Sequence, residues 1–418
     1  MLDRTRPPAY SQTFELHIPR AKSELRNQTN FHAIAAGKQP VSRIEIIFPK
    51  GGSYYDSLPG LAYLTNKMLT YGTPSRNHHD IVESFDRYGA FVKLNPSFDD
   101  PSLELYCLNK NAGDVIPVLA DIIRHSIFPD EDFALVQKIS AEQIRIQNSR
   151  NSVLASKLFR STLFGEGHPY GQVMKPEDLD MLDARQLRAF FMEQCREYEI
   201  IVTGDADESL TRLLGDQLAF SKPIKDDRLH DIPEPKATSV YQEKENSLQT
   251  SLRIGKLLPH KSDPDYIPLR ICLHALGGYF GSRLMKNIRE EKGYTYGIYA
   301  SMVPLRFASY LVIGSDVQKA NRTDAINEVN REIRLLQDEL LREEELQMVR
   351  NHMLGSFQSD LSSPFALSEK FKGVYLFGLD YSYYDRYIET IETITPQHIR
   401  EMAQKYLDPE SMTEISVG

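Results

Sequence analysis

The chain has 418 residues, a formal net charge of -9, and 26% charged and 41% hydrophobic side chains. That length suffices for two domains of about 200 residues each, and the balance is that of an ordinary globular protein. The negative charge argues against nucleic acid, whose phosphates need a basic face, and leaves room for a basic peptide. Cys107, Cys195 and Cys272 lie far apart without C-x-x-C spacing and read as buried free thiols of a reducing compartment. Met1-Leu-Asp-Arg-Thr-Arg-Pro-Pro8 has no apolar h-region, so no signal peptide is expected. No apolar run of about 18 residues is present, so no membrane span is expected, and the expected location is cytoplasmic.

Residues 1–28 are polar and dotted with proline, which predicts an extended N-terminal arm. Val41-Ser-Arg-Ile-Glu-Ile-Ile-Phe48 alternates like a half-buried strand. Lys50-Gly-Gly-Ser53 turns it, and Leu58-Pro-Gly-Leu-Ala62 leads into a helix reaching Tyr71. A second helix follows Asn77, with Ile81, Phe85 and Tyr88 at helical spacing, and ends at Gly89. Phe91 to Asn109 reads as a strand pair with Leu103, Leu105 and Cys107 on one face. Helices are predicted over 112–127, 130–150, 151–164 and 183–195, and Glu199-Ile-Ile-Val-Thr203 as a strand. The stretch 223–238, with Pro223, Pro233 and Pro235, has the composition of a linker.

Beyond the linker the pattern restarts. The helix carrying Val136 has a counterpart at Val349, an offset of 349 − 136 = 213. Leu182-Asp-Ala-Arg-Gln-Leu187 is echoed by Ile394-Thr-Pro-Gln-His-Ile399, with 399 − 187 = 212, and Glu199-Ile-Ile-Val-Thr-Gly204 by Glu414-Ile-Ser-Val-Gly418. The common order and offset predict two copies of one α+β domain, over 29–222 and 239–418. Each is expected to be a mixed or antiparallel sheet with helices packed on one face. Two unrelated α+β domains are the alternative.

One stretch of the second copy stands out, Leu276 to Ser301. A glycine cluster (Gly277, Gly278, Gly281) runs into a short helical pattern with Leu284 and Ile288 and the charges Arg283, Arg289 and Glu290. Gly293 caps that helix, and Tyr294 to Ser301, rich in Tyr, Thr and Ile, reads as a strand. Arg289 near the helix end and Tyr296 on the strand can point a guanidinium and a phenol at one spot. The bland alternative is that Arg289 pairs with Glu290 or Glu291 and Tyr296 packs against the strand. The glycines lack the Gly-Lys-Ser/Thr ending of a phosphate loop. No Gly-x-Ser-x-Gly, and no cysteine with an evident histidine partner, supports a serine or cysteine hydrolase. His78-His79 opens a helix, and His260, His274 and His352 are single and far apart, so none reads as a metal ligand.

The stretch resembles the Arg/Tyr segment in the C-terminal half of the pitrilysin/insulinase family of zinc peptidases, inverzincins with an H-x-x-E-H motif. The duplicated layout extends the resemblance over nearly the whole chain, towards proteins like the mitochondrial processing peptidase. In that family two histidines at i and i+4 hold zinc and the glutamate between them activates its water. The resemblance places the motif on Gly60-Leu-Ala-Tyr-Leu-Thr-Asn-Lys-Met68, where the three positions hold Tyr63, Asn66 and Lys67. Tyrosine and lysine cannot replace imidazole, and an ammonium repels the ion; Asn66 has no proton affinity suited to a base. The family's later glutamate ligand falls on Gln143, and the acidic position one heptad earlier on Val136; Glu142 is adjacent but turned by about 100° around the helix.

The resemblance therefore implies no metal and no cofactor in this chain, with Tyr63, Asn66, Lys67 and Gln143 as the degenerate zinc positions. It implies that Gly277, Gly278 and Gly281 line a substrate chamber, that Arg289 positions a peptide, and that Tyr296 stabilises the developing oxyanion. The expected function is the non-metal subunit of a two-subunit zinc metallopeptidase, inactive alone, acting in trans on a zinc-bearing homologous partner. A homodimer is the form open to the isolated chain. The alternative is a catalytically inactive scaffold or peptide-binding protein of the same fold.

Overall fold

A computed structural model describes residues 18–37, 39–234 and 236–418. Most of the expected arm, residues 1–17, lies outside the described residues. Its last part is not an arm: Lys22–Arg26 is an edge strand, antiparallel to Thr29–Ala35. Asn27 and Gln28, with φ of 44° and 67°, turn between them. Two consecutive left-handed residues give the twist that a tight hairpin needs, and glutamine there is too unusual a turn signal to read from sequence.

The first sheet has six strands in the spatial order Lys22–Arg26, Thr29–Ala35, Glu199–Gly204, Val41–Ile47, Ser102–Leu108, Phe91–Asn95. The second runs Ser239–Gln242, Thr413–Val417, Gln249–Gly255, Ser309–Gln318, with Thr295–Pro304 and the short Leu257–Leu258 both paired to the last. In each sheet one pair is parallel, Thr29–Ala35 with Glu199–Gly204 and Ser239–Gln242 with Thr413–Val417, and the other ladders are antiparallel. The same order and the same placement of the parallel pair mark a duplication, in a mixed α/β fold of two halves.

Local signals set the helices. Asn77 accepts from the Asp80 N–H while the Asp80 carboxylate accepts from the Asn77 N–H, a reciprocal cap that starts His78–Asp86. Asp183 and Gln186 do the same for Ala184–Gln194. Helix Glu208–Leu218, capped by Asp207, was not anticipated; an Asp three residues before the leucine whose N–H it receives was the available signal. Residues 219–234 and 236–238 carry no regular structure.

The two halves are joined by an exchange of helices. Helix Asn151–Phe164 of the first half packs on Gln249–Gly255 and Thr413–Val417 of the second. Its counterpart Pro364–Tyr375 packs on Glu199–Gly204 of the first. Ala155, Phe159 and Leu163 share one apolar cluster with Val312, Ile415 and Val417. Leu367 and Phe371 share another with Ile34, Ile47 and Ile201. The helices expected on one face of each sheet are thus joined, on the other face, by one helix lent from the other half.

That exchange corrects the reading of Val41–Ile47 as half-buried. The strand is covered on both faces, and Arg43 and Glu45 are 5% and 1% exposed. Buried charges need partners, and the incoming helix brings them. Arg43 Nη2 lies 2.8 Å from Glu369 Oε1, and Lys372 Nζ lies 2.8 Å from Glu45 Oε1. In the corresponding strand of the second half Arg253 donates to Ser156 Oγ at 3.0 Å and Ser152 O at 3.2 Å, both on the helix that comes the other way.

Candidate functional site

Three of the four degenerate zinc positions meet in space. The seven-residue helix Leu61–Lys67 starts at Gly60, whose φ of 93° only glycine adopts readily. Asp56 accepts from the Gly60 and Ala62 N–H groups at 3.2 and 2.7 Å and so holds that helix start. Burial pushes the Asp56 carboxyl up to about 7. One turn apart on the helix, Tyr63 and Lys67 share a face. Lys67 Nζ sits 4.8 Å from the centre of the Tyr63 ring and donates to Gln143 Oε1 at 2.8 Å. Asn66 turns inward, 3% exposed, with Nδ2 donating to Ser102 O at 3.3 Å.

This donor set does not fit zinc. It offers one ammonium, one phenol and one amide oxygen, and the ammonium already donates to that amide oxygen. Among the described residues no group of three or more His, Cys, Asp or Glu side chains is arranged to hold a metal ion. His78, at the start of its helix, stacks on Tyr71 and bonds Thr70 O at 2.9 Å. His274 and His352, expected to be far apart, are neighbours: the helices that carry them bring His274 Nε2 within 3.0 Å of His352 Nδ1. Burial, reinforced by the charges of His352 and Arg270, lowers His274 to about 4.

The Arg/Tyr pair is open. Arg289 and Tyr296 line one cleft of about 1000 Å³, together with Leu248, Glu290, Asp316 and Lys319. Both stand on backbone irregularities. Arg289 belongs to a π-helical stretch, Met285–Glu291, and such stretches concentrate at functional sites. Tyr296 lies where the pairing of Thr295–Pro304 with Ser309–Gln318 shifts register between Thr295 and Ile298, a bulge that re-aims a side chain. Ser315 Oγ pins the bulge, 3.0 Å from both Thr295 Oγ1 and Gly297 O. Gly293, at φ 66°, makes the turn between helix and strand.

Tyr296 is 93% exposed, so it packs against nothing on the strand. Arg289 is 4.0 Å from Glu290, at the outer limit of an ion pair, and its guanidinium lies 4.4 Å from the centre of the Phe280 ring. Phe280, itself 60% exposed, was not singled out from sequence. It comes from the glycine loop, and this clarifies the glycines. Gly277, Gly278 and Gly281 lie outside the residues lining the cleft. A Cβ on Gly277 would stand 2.6 Å from Ala300 N, so that glycine lets the helix end approach the strand. The loop carries the ring on which Arg289 rests.

Fold and site together define a duplicated α+β protein of zinc-peptidase architecture, with an open Arg/Tyr cleft and, among the described residues, no cluster of metal-ligating side chains. Two family profiles match it: "Insulinase (Peptidase family M16)" over residues 33–177 and "Peptidase M16 inactive domain" over residues 184–353. The chain belongs to peptidase family M16, as a member that lacks the metal site. It is 22% identical to the uncharacterized zinc protease YmxG of Bacillus subtilis over 73% of this chain and 75% of that one. It is 21% identical to the non-peptidase homolog YmxG of Helicobacter pylori, over 76% and 75%. Among solved structures, a peptidase M16 inactive domain from Pseudomonas fluorescens superposes with a TM-score of 0.86 at 22% identity, covering 95% of this chain and 98% of that one. Among the described residues no helix is long and apolar enough to cross a membrane.

Proposed function

We propose that this chain is the non-metal subunit of a two-subunit M16 peptidase and supplies Arg289 and Tyr296 to a partner's active site. The observation that carries this reading is an asymmetry. The metal cluster is dismantled at every position, while the Arg/Tyr pair stands unencumbered on a pinned bulge and a π-helical turn. The zinc and its water belong to the partner. In peptide hydrolysis negative charge develops on the scissile carbonyl oxygen, and a phenol donor aimed there stabilises it. Arg289, permanently charged and forked, suits the holding of a substrate carbonyl or carboxylate.

The test is reconstitution with a zinc-bearing homologous subunit. Tyr296→Phe removes one hydroxyl from a fully exposed ring, so folding and assembly are retained. The complex then loses about 10²-fold in kcat with KM little changed. Full activity in that variant complex replaces this reading with the second one, a scaffold or peptide-binding protein, which the name non-peptidase homolog of the Helicobacter pylori relative favours.

A further inference from the structure

Beside the lysine-filled metal position lies a second cavity, of about 330 Å³, to which Tyr63 and Gln143 both contribute. Its far wall is the exchanged helix Asn151–Phe164, which presents Lys157 and Arg160 three residues apart on one face. Among the described residues neither cation has a carboxylate partner. Lys157 Nζ donates to the neutral Asn148 Oδ1 at 2.7 Å. The Arg160 guanidinium lies 5.3 Å from the centre of the Phe98 ring, and its Nε is buried without an acceptor. The one acid in the lining, Asp56, spends its two oxygens on the Gly60 and Ala62 N–H groups. Burial lowers both cations below their ordinary range, and for Lys157 the Arg160 charge adds to it. Two uncompensated positive charges in a concave site cost desolvation energy unless an anion joins them. The remaining lining, Ser53, Ser97, Gln147 and Gln172 among them, offers neutral hydrogen-bonding groups.

We propose that this cavity binds a carboxylate of an extended peptide, with Lys157 and Arg160 as its charged donors. The lost metal site is thereby replaced by an acid-recognising pocket, and the chain selects peptides by an acidic group. The carboxylate belongs either to an Asp or Glu side chain or to a peptide C-terminus. The inference rests on the reading of this chain as a peptide-handling subunit, but it concerns binding by this chain alone.

The experiment uses the full chain without any partner and four fluorescein-labelled peptides of one sequence. They carry Glu or Gln at one position and end in a free acid or an amide. Anisotropy titrations are expected to show the peptides that carry the recognised carboxylate binding about tenfold or more tighter than the Gln amide, the scale of a charge-assisted hydrogen bond. Comparing the Glu amide with the Gln acid identifies the source. Arg160→Gln and Lys157→Gln abolish the preference, with folding checked by thermal melting. If Arg160→Gln fails to fold, Lys157→Gln decides, because that ammonium contacts one neutral side chain. Equal binding of all four peptides, no binding of an acidic peptide at millimolar concentration, or a preference that survives in folded variants overturns the proposal. None of these outcomes touches the Tyr296→Phe result, and the loss of that reading leaves an acid-binding pocket measurable here.

Discussion

Lys67 Nζ donates to Gln143 Oε1 at 2.8 Å and lies 4.8 Å from the centre of the Tyr63 ring. A side-chain cation, held by one amide oxygen and one aromatic face, ties together Tyr63, Lys67 and Gln143, none of which is a zinc ligand.

Zinc is therefore expected to be substoichiometric in the purified protein, and chelators to leave its Tm unchanged. Lys67→Met removes the ammonium and its cation–π contact, worth about 0.5–1 kcal/mol at a partly exposed site, without creating a zinc site. Metal analysis of both proteins checks this. Stoichiometric zinc that is lost on changing Tyr63 and Gln143 to alanine sinks it.

Phe280 supports Arg289 from 4.4 Å. Phe280→Ala takes away an exposed ring, so the melting temperature should hold. The reconstituted peptidase should show KM raised by about 2–5-fold, the equivalent of one such contact, with kcat nearly unchanged. Kinetics identical to the unaltered complex would show that Arg289 does not depend on the ring.

Phe159 sits in the exchanged helix, 1% exposed, within the cluster shared by both halves. Phe159→Ala leaves a cavity at that junction and is expected to cost about 3–5 kcal/mol. Because the helix belongs to one half and its sheet to the other, both halves should unfold in one transition at lower urea. Two separated transitions with an unshifted first one would mean that the exchange does not couple them.

Asp56 gives a pH signature. Its folded carboxyl titrates at about 7, against an ordinary value of 3.8, because burial disfavours the charged form. Between those values the folded chain keeps a proton that the unfolded chain has released, so stability falls as pH rises from about 4 to about 7. Asp56→Asn keeps an acceptor for the helix start without the titration, and should lose less stability than the parent across that window. Parallel urea-midpoint curves for the two proteins refute it.

Much of the architecture was legible in the chain because it is encoded locally and then repeated. Strand alternation, the Asn77 and Asp183 caps and the proline-rich 223–238 stretch mark elements by their own composition. The near-constant offset between Val136 and Val349 reveals duplication without any knowledge of packing. The replacements at Tyr63, Asn66, Lys67 and Gln143 are chemical statements that need no coordinates once the frame is recognised. Other features were hidden for equally physical reasons. The hairpin at Asn27 and Gln28 uses a residue with little turn preference, and the charges of Arg43 and Glu45 mimic a solvated face.

By itself, then, the sequence determined two copies of one α+β unit, an absent set of zinc ligands and a candidate Arg/Tyr pair, since each depends on residue type and on spacing along the chain. Tertiary structure alone decided that each half covers the other's sheet with a helix, and that Lys67 meets Gln143 and the Tyr63 ring. It also placed Phe280 under Arg289 and left Lys157 and Arg160 facing a cavity without an acid. These last are relations between side chains that meet only when separate elements pack, and burial, which sets the energy of an unpaired charge, exists only in the folded chain.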